Sequence, residues 1–496
     1  MRISIDHLAE PELIFSNGKR GIEPRRALAG RKIAVADRTV NLGLVGPPDD
    51  VVAVGEWLAK LANFQVAREG NSLRYRNWPG SRQALGTDFV VPDRFVRPLD
   101  SGEVAAALAR ASRGTGFDDL LDMFTAQITG LFRDGGPSCV VVCLPEAIAD
   151  LKIDNPGLSA VERRALERLQ AEEEDVQMNL FQPTPEELQA AADLRIQADE
   201  LLFRTFYRAL KARCMQHQNA VPIQLIRRDT VDRADDKGHS HATRAWNLAV
   251  SLLYKAGSMP WQPASLPENT CFVGISFHHL KKRSGSLIYA SLAQAVASEV
   301  EPFALSGATI DHDQRRDRQP YLNAAQAKAL ITEVLNEYRS VAGVTPDRIV
   351  LHKTSRYQPE EVEGFLEGVR GVVPSCDLIW IRPTPFRVVR KGREEPWRGT
   401  LCTVGNETYL FTTGFVPWWN EYPGPHIPAP IEIGSATPTD LRQRASEILA
   451  LSKINWNSSE GFSRYPVTLS FAKKVGQLMV EFPDGYRPNP SYRFYM

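Results

Sequence analysis

The run Cys139–Leu144 reads CVVVCL and is closed by Pro145. Six apolar residues with a β-branched centre make a buried strand, because the run is too short for a buried helix and ends at a residue that cannot donate to a ladder. The segments around it alternate in kind. Residues 41–45 are an apolar run ending at Gly46-Pro47-Pro48, and residues 51–61 carry Val, Trp and Leu at helical spacing. Residues 201–215 predict an amphipathic helix, 223–226 a strand entered through Pro222, and 242–256 a helix ended by Met259-Pro260-Trp261. Strand, helix, strand, helix is α/β order with a mostly parallel sheet and short crossovers. Residues 155–199 break that order. Residues 160–176 are rich in Glu, Arg and Leu and contain the acidic run Glu172-Glu173-Glu174-Asp175, and Thr184 is placed to cap a further helix. This segment reads as an insertion, either a surface interaction element or a solvated helical connection.

A second unit begins near Pro267. Residues 270–277, 287–295 and 303–310 predict a strand meander, 323–339 a helix, 348–352 a strand, and 359–368 a helix. Strands at 376–382 and 386–389 follow, then a hairpin over 399–411 turning at Gly405-Asn406, and closing helices at 441–451 and 467–482. That order fits an RNase H-like mixed sheet flanked by helices. With 496 residues, roughly two to four domains are expected.

Composition narrows the partners little. Lys+Arg and Asp+Glu both number 59, so any polyanion site must come from local clustering. The six cysteines, Cys139, Cys143, Cys214, Cys271, Cys376 and Cys402, show no CxxC spacing, which favours buried reduced thiols over metal ligation. The opening MRISIDHLAEPEL has early acids and no long apolar core, so no signal peptide is read there. No apolar stretch reaches the ~18 residues of a membrane span. A cytoplasmic protein without membrane contact is expected.

Phe272-Val273-Gly274-Ile275-Ser276-Phe277 and Val350-Leu351-His352-Lys353-Thr354-Ser355-Arg356-Tyr357 resemble the two strands of an Argonaute PIWI domain that carry its first metal-binding aspartate and its His-Arg-Asp-Gly-Arg segment. In this chain the acids are replaced by Ser276 and Thr354, and Lys473 falls near the last metal-binding position. Glu10-Pro11-Glu12-Leu13 resembles the segment leading into the MID domain, Trp78-Pro79-Gly80 a turn of that region, and Lys453-Ile454-Asn455-Trp456-Asn457 with Tyr465-Pro466-Val467-Thr468 the closing PIWI segment. The chain thus resembles the short prokaryotic Argonautes over nearly its whole length. The resemblance implies a Rossmann-like MID domain over 1–266, with an N-terminal lead-in and the insertion near 155–199, and an RNase H-like PIWI domain over 267–496.

Tyr207 and Lys211 are four apart and share a helix face, Gln224 follows on the next strand, and Lys255 lies near the end of the next helix. By resemblance these four bind the 5′-phosphate of a guide strand. The chemistry suits a phosphate, with two ammonium groups for charge and a phenol and an amide for directed hydrogen bonds. Tyr207 could also stack on the first base. Taken alone, the helix pair also fits a half-buried Tyr beside a surface Lys. The resemblance further implies a magnesium ion beside the phosphate, held by the terminal carboxylate of Met496.

RNase H-like cleavage needs carboxylates around two metal ions about 4 Å apart, and neither a hydroxyl nor a lysine replaces them. The Asp311-His312-Asp313 loop with Asp317 is interleaved by Arg315, Arg316 and Arg318 and reads as a solvated loop. His278 and His279, adjacent on a strand, point to opposite faces. Lys281, Lys282, Arg283, Lys353, Arg356, Arg382, Arg387, Arg390, Lys391 and Arg393 are candidate contacts to a duplex backbone, though each cluster also fits a solvated face.

What the resemblance implies as function is guide-RNA-dependent recognition of complementary single-stranded DNA by a catalytically inactive Argonaute. An associated APAZ-containing effector (TIR, sirtuin-like or nuclease) would form a heterodimer with it and act in defence against plasmids or phage. A PIWI-type nuclease with non-standard metal ligands and a guide-free nucleic-acid-binding protein remain as other readings.

Overall fold

The computed structural model describes all residues except 1, 17, 30–37, 112–114, 133–134, 162, 165, 168–198, 200, 234–239, 282–286, 297–301, 312–314, 317–318, 390, 393–394, 425–426, 484–485 and 487–488, and it omits the side chains of 278–281, 287–295, 306–311, 315–316, 319 and 473.

Cys139–Leu144 is fully buried and central. It pairs in parallel with Arg38–Gly46 on one side and Ile223–Arg227 on the other, and Thr87–Val90 and Val96–Pro98 extend the sheet from Arg38–Gly46. Side-chain alternation explains why the run is apolar throughout. Cys139, Val141 and Cys143 share a core with Val54 and Trp57 of helix Pro48–Ala59 and with Trp246 and Ala249 of helix His241–Lys255. Val140, Val142 and Leu144 share another with Phe117 and Phe124 of helix Thr115–Gly130 and with Phe206 and Leu210 of helix Phe206–Met215. Both faces of a parallel sheet are thereby covered, as this strand type requires.

The second unit is built on a nine-stranded mixed sheet in the order Ile3–His7, Thr400–Val404, Glu407–Leu410, Ile431–Ser435, Ser375–Pro383, Arg348–Lys353, Thr270–Lys281, Leu287–Val296, Phe303–Asp311. Thr270–Lys281, Arg348–Lys353 and Ser375–Pro383 are parallel, and the flanking pairs are antiparallel. One face packs Cys271, Val273, Ile275, Ile349 and Leu351 against helices Ala324–Ala342 and Pro359–Val369. The other packs Phe272, Val350 and Ile379 with helices Leu441–Leu451 and Val467–Met479, in the same core that holds helix His241–Lys255 of the first unit. The two units therefore share a continuous apolar core.

Several expectations are corrected by this arrangement. The boundary at 266 put the N-terminal lead-in with the first unit, but Ile3–His7 is the edge strand of the second sheet, while Leu13–Phe15 pairs with Trp261–Pro263 inside the 1–266 range. The helix expected from residue 201 begins at Phe206. Phe203–Thr205 pairs with Lys152–Asp154, and extended Thr205 caps the helix by accepting from the Arg208 N–H. This ladder, with Lys152 bonded to Asp199 at 3.1 Å, brings together the two ends of the 155–199 segment, most of which lies outside the described residues. Residues 386–389 form no strand. The Phe386 N–H donates to Thr384 Oγ1, and the Arg387 guanidinium donates to the Thr384 and Phe386 carbonyls, so local side-chain bonds take the place of a ladder. All six cysteines are free thiols, and every one but Cys376 is buried.

Candidate functional site

Helix Phe206–Met215 carries Tyr207 and Lys211 one turn apart, with the Lys211 side chain turned inward. Lys211 is 3% exposed and Lys255 2%, while Tyr207 is 43% exposed. The Lys211 ammonium donates to the Tyr207 hydroxyl at 2.6 Å and to the main-chain oxygen of Met496. The Lys255 ammonium donates to the Ile223 carbonyl at 2.9 Å and to Gln224 Oε1 at 2.7 Å. Ser251 also donates to that Gln224 oxygen, whose amide nitrogen bonds the Leu225 carbonyl, so Gln224 steadies Lys255 as an acceptor.

All five residues expected at a phosphate, Tyr207, Lys211, Gln224, Lys255 and Met496, line one cavity of about 180 Å³. Its far wall was not foreseen. Lys474, Gln477 and Leu478 of helix Val467–Met479 face in, with Asn457 and Tyr495. The i, i+3, i+4 spacing of the first three marks one helix face, but nothing in the sequence says which neighbour that face meets. Asn457 closes the Lys453–Asn457 segment that carries the resemblance.

The electrostatics is one-sided. Burial, and then repulsion from Lys474, lowers the Lys211 ammonium to about 7. Burial, and then Lys211, lowers Lys255 to about 7 as well, and burial lowers Lys474. No Asp or Glu side chain lines the cavity. Three amines converging without a side-chain counter-charge form a receptor for an anion. The fit to a divalent cation is narrower, because no acidic side chain lines the cavity and Lys211 already engages the Met496 main-chain oxygen. Among the described residues no cluster of three or more His, Cys, Asp or Glu could hold a metal ion.

The second candidate site lies at the carboxyl ends of the parallel strands, where α/β sheets bind ligands. The ladder between Thr270–Lys281 and Arg348–Lys353 ends at the pair Ile275 and Lys353. Ser276, still on its strand, and Thr354, just past the end of its strand, directly follow that pair, so the fold brings both predicted positions together. The Lys473 side chain lies outside the described residues, as do the side chains of His278, His279 and Lys281 and most of the 311–318 loop. Two expected backbone-contacting cations are spent internally. Lys353 is buried against Glu361, bonding both carboxylate oxygens at 2.6 Å, and Arg382 is buried against Glu432 at 2.8 Å. Arg356, 60% exposed at its side chain, remains at the surface near Glu432 and the Trp380 ring. Arg387 and Lys391 are exposed, and Lys282, Arg283, Arg390 and Arg393 lie outside the described residues.

The quoted sequence motifs meet in space. Lys453 bonds Glu10 at 2.6 Å, Trp456 donates to the Trp261 carbonyl, and Thr468 bonds His352 at 2.9 Å. Trp78 donates to the Leu61 carbonyl at 2.9 Å, and Gly80, at φ 96°, lies where a Cβ would meet the Ala62 oxygen at 2.5 Å.

No protein-family model matches the sequence, and no curated protein matches it. Solved structures do. Clostridium butyricum Argonaute bound to a guide DNA and a 19-mer target DNA is similar with a TM-score of 0.60 at 14% identity, over 99% of this chain and 54% of that one. A. aeolicus Argonaute gives 0.54 at 15% identity, over 99% and 55% of the two chains. Aa-Ago with externally bound siRNA gives 0.56 at 14% identity, over 99% and 56%. The chain therefore spans about half the length of these structures. In both its sheets and its layering it has the Argonaute fold, a Rossmann-like MID unit followed by an RNase H-like PIWI unit.

Proposed function

We propose that this chain anchors the 5′-phosphate of a small guide RNA between Tyr207, Lys211, Gln224 and Lys255 and presents the guide to a complementary single-stranded DNA. The observation that carries this reading is the convergence of three lysines, two of them buried, on a cavity without a side-chain acid. The similar structures hold a guide and target DNA in one case and siRNA in another. The preference for RNA rests on the resemblance to short Argonautes. Magnesium would join the site only with the phosphate, sharing its oxygens with that of Met496.

The strand-end site recognises without cutting in this proposal, since Ser276 and Thr354 are hydroxyl residues where metal-held carboxylates would stand. Catalysis then belongs to a partner, an APAZ-containing effector triggered by target binding, in defence against plasmids or phage. This part is supported by the resemblance to short Argonautes.

The test measures affinity for one RNA carrying either a 5′-phosphate or a 5′-hydroxyl. The wild-type chain should prefer the phosphate by about 10-fold or more, as for loss of a charge-assisted hydrogen bond. Lys211→Ala and Lys255→Ala should each erode that preference. Equal binding of both RNAs by the wild-type chain refutes the pocket assignment, and magnesium-dependent cleavage of target DNA refutes the non-catalytic reading.

A further inference from the structure

We propose that strand Ile3–His7 is a self-complementary docking edge, on which a second copy of this chain pairs antiparallel about a two-fold axis at Ser4. The inference concerns a different surface from the pocket and does not depend on the phosphate reading.

The backbone register comes first. Ile3–His7 is the outermost strand of the nine-stranded sheet and pairs antiparallel with Thr400–Val404. The Leu8 N–H donates to the Gly399 carbonyl, and the Gly405 N–H donates to the Arg2 carbonyl. Hydrogen-bonded residues alternate along such a ladder, so Ser4 and Asp6 also turn their backbone groups toward Thr400–Val404. Ile3, Ile5 and His7 turn theirs outward, where no described strand meets them. The His7 N–H is already taken by Asp6 Oδ1 at 2.8 Å. The free donors of the edge are therefore those of Ile3 and Ile5. The far edge of the same sheet differs. Phe303 bridges Ser491, and the Ala304 N–H donates to the Pro490 carbonyl, so the chain's own later segment covers the start of strand Phe303–Asp311.

Side chains select the occupant. Ile3 and Ile5, 60% and 64% exposed, share one face of the strand, and Arg2, Ser4 and Asp6 are exposed on the other. An axis at Ser4 sets Ile3 of each copy opposite Ile5 of the other, where their N–H and C=O groups exchange bonds. This register uses both free donors and leaves out the occupied His7 N–H. It gathers two isoleucines from each copy on one face. On the other face it sets Asp6 of each copy opposite Arg2 of the other, an opposite-charge pair made twice. Arg442 also bonds Asp6, at 2.7 Å, and a carboxylate has lone pairs for both guanidiniums. Moving the axis to Ile5 would set Ile3 against His7 and Asp6 against Ser4, and both complementarities would be lost. The strand has no proline, lysine or bulge of the kind that blunts a natural edge. The paired stretch is short and falls well under the ~1,200–2,000 Å² of a stable interface, so self-association is reversible and concentration-dependent.

The experiment is sedimentation velocity on the full chain over about 1 to 200 μM, a span matched to a weak interface. Wild type should pass from monomer toward dimer across it. Ile5→Pro removes an outward N–H but no bond to Thr400–Val404, and Ile3→Lys charges the edge. Each should weaken the dimer by about 10-fold or more. Ile3→Lys, at a side chain exposed in the monomer, keeps the test valid should Ile5→Pro fail to fold. Arg2→Asp and Asp6→Arg should each stay monomeric alone, because like charges then face each other. Mixed in equal amounts they should dimerise, since each copy offers the charge the other lacks. A wild-type chain that stays monomeric over the whole range overturns the proposal. So does a dimer that Ile5→Pro and Ile3→Lys leave intact, which places the contact elsewhere. A mixed pair that fails to recover the dimer refutes the two-fold register and the proposal with it. A different protein that protects the amides of residues 3–5 from exchange, with no self-association, refutes the choice of occupant.

Discussion

Lys211 and Lys255 make the pocket's affinity a function of pH. Both ammoniums are lowered to about 7, by burial first and by neighbouring lysines second. A bound dianion favours the charged forms and moves both back up toward the ordinary lysine range. Above pH 7 the bound state then holds more protons than the free state, so affinity for a 5′-phosphorylated strand falls as pH rises from about 7 toward 10. Below about pH 6 the phosphate regains its second proton and loses charge. The facing groups leave this sign unchanged. Lys474 adds to it, Cys139 is pushed up to about 11 and stays neutral, and Arg208 is balanced by Glu481. The free chain behaves oppositely. Between pH 7 and about 10 the unfolded lysines bind more protons than the folded ones, so the free chain gains stability from this pair as pH rises. Titrating affinity and melting temperature between pH 6.5 and 9 checks both slopes, and two flat profiles would show that the lysines are already paired. Tyr207, Lys211, Gln224 and Lys255 are legible through the resemblance, since helix spacing by itself only sets Tyr207 and Lys211 on one face. Lys474 was not, because a helix face names no neighbour.

Helix Val467–Met479 is the element on which core and pocket depend together. It lies against the strand Thr270–Lys281, where Gly274 meets the helix so closely that a Cβ would sit 2.0 Å from the Thr468 oxygen. Gly274→Ala should force the helix outward and cost about 1–3 kcal/mol, the usual range for overpacking. The same displacement should carry Lys474 and Gln477 away from the phosphate. Urea denaturation and the 5′-phosphate preference should therefore fall together in this variant. Loss of stability with the preference intact would show that the helix tilts without moving the cavity wall. The elements with strong periodicity or capping were legible, including helix Ala324–Ala342, where Asn323 and Gln326 form a capping box. Ile3–His7 was not, because its five residues are all exposed and its alternation of Ile3 and Ile5 with Ser4 and Asp6 is too short to set it apart from a loop. Its place is set by pairing with Thr400–Val404, a contact between distant parts of the chain.

At the scale of the molecule, the N-terminal segment is locked to the closing part of the second unit by Glu10. Its carboxylate accepts from Arg398 at 3.0 Å and from Lys453 at 2.6 Å, and both cationic side chains are fully buried. Lys453 also donates to the Ile22 carbonyl, and Arg398 to Ser452 and the Leu449 carbonyl, so the network spans three stretches of chain. Burial still lowers Lys453 to about 8 against the pull of Glu10. Removing that carboxylate would leave two buried cations facing each other. Glu10→Gln should therefore cost about 3–5 kcal/mol, the range for breaking a buried ion pair from one side. Glu12 offers the control, because its pair with Arg20 is exposed and 3.8 Å long. Glu12→Gln should change stability by less than about 1 kcal/mol. The two positions are two residues apart and undergo the same chemical change, so burial and the partners it brings separate them. Denaturation curves of equal midpoint for the pair would mean that the Glu10 network does not hold the two ends together. A large loss in Glu10→Gln alone, with the 5′-phosphate preference retained at low temperature, would place this lock outside the pocket and make it the joint on which the fused core depends.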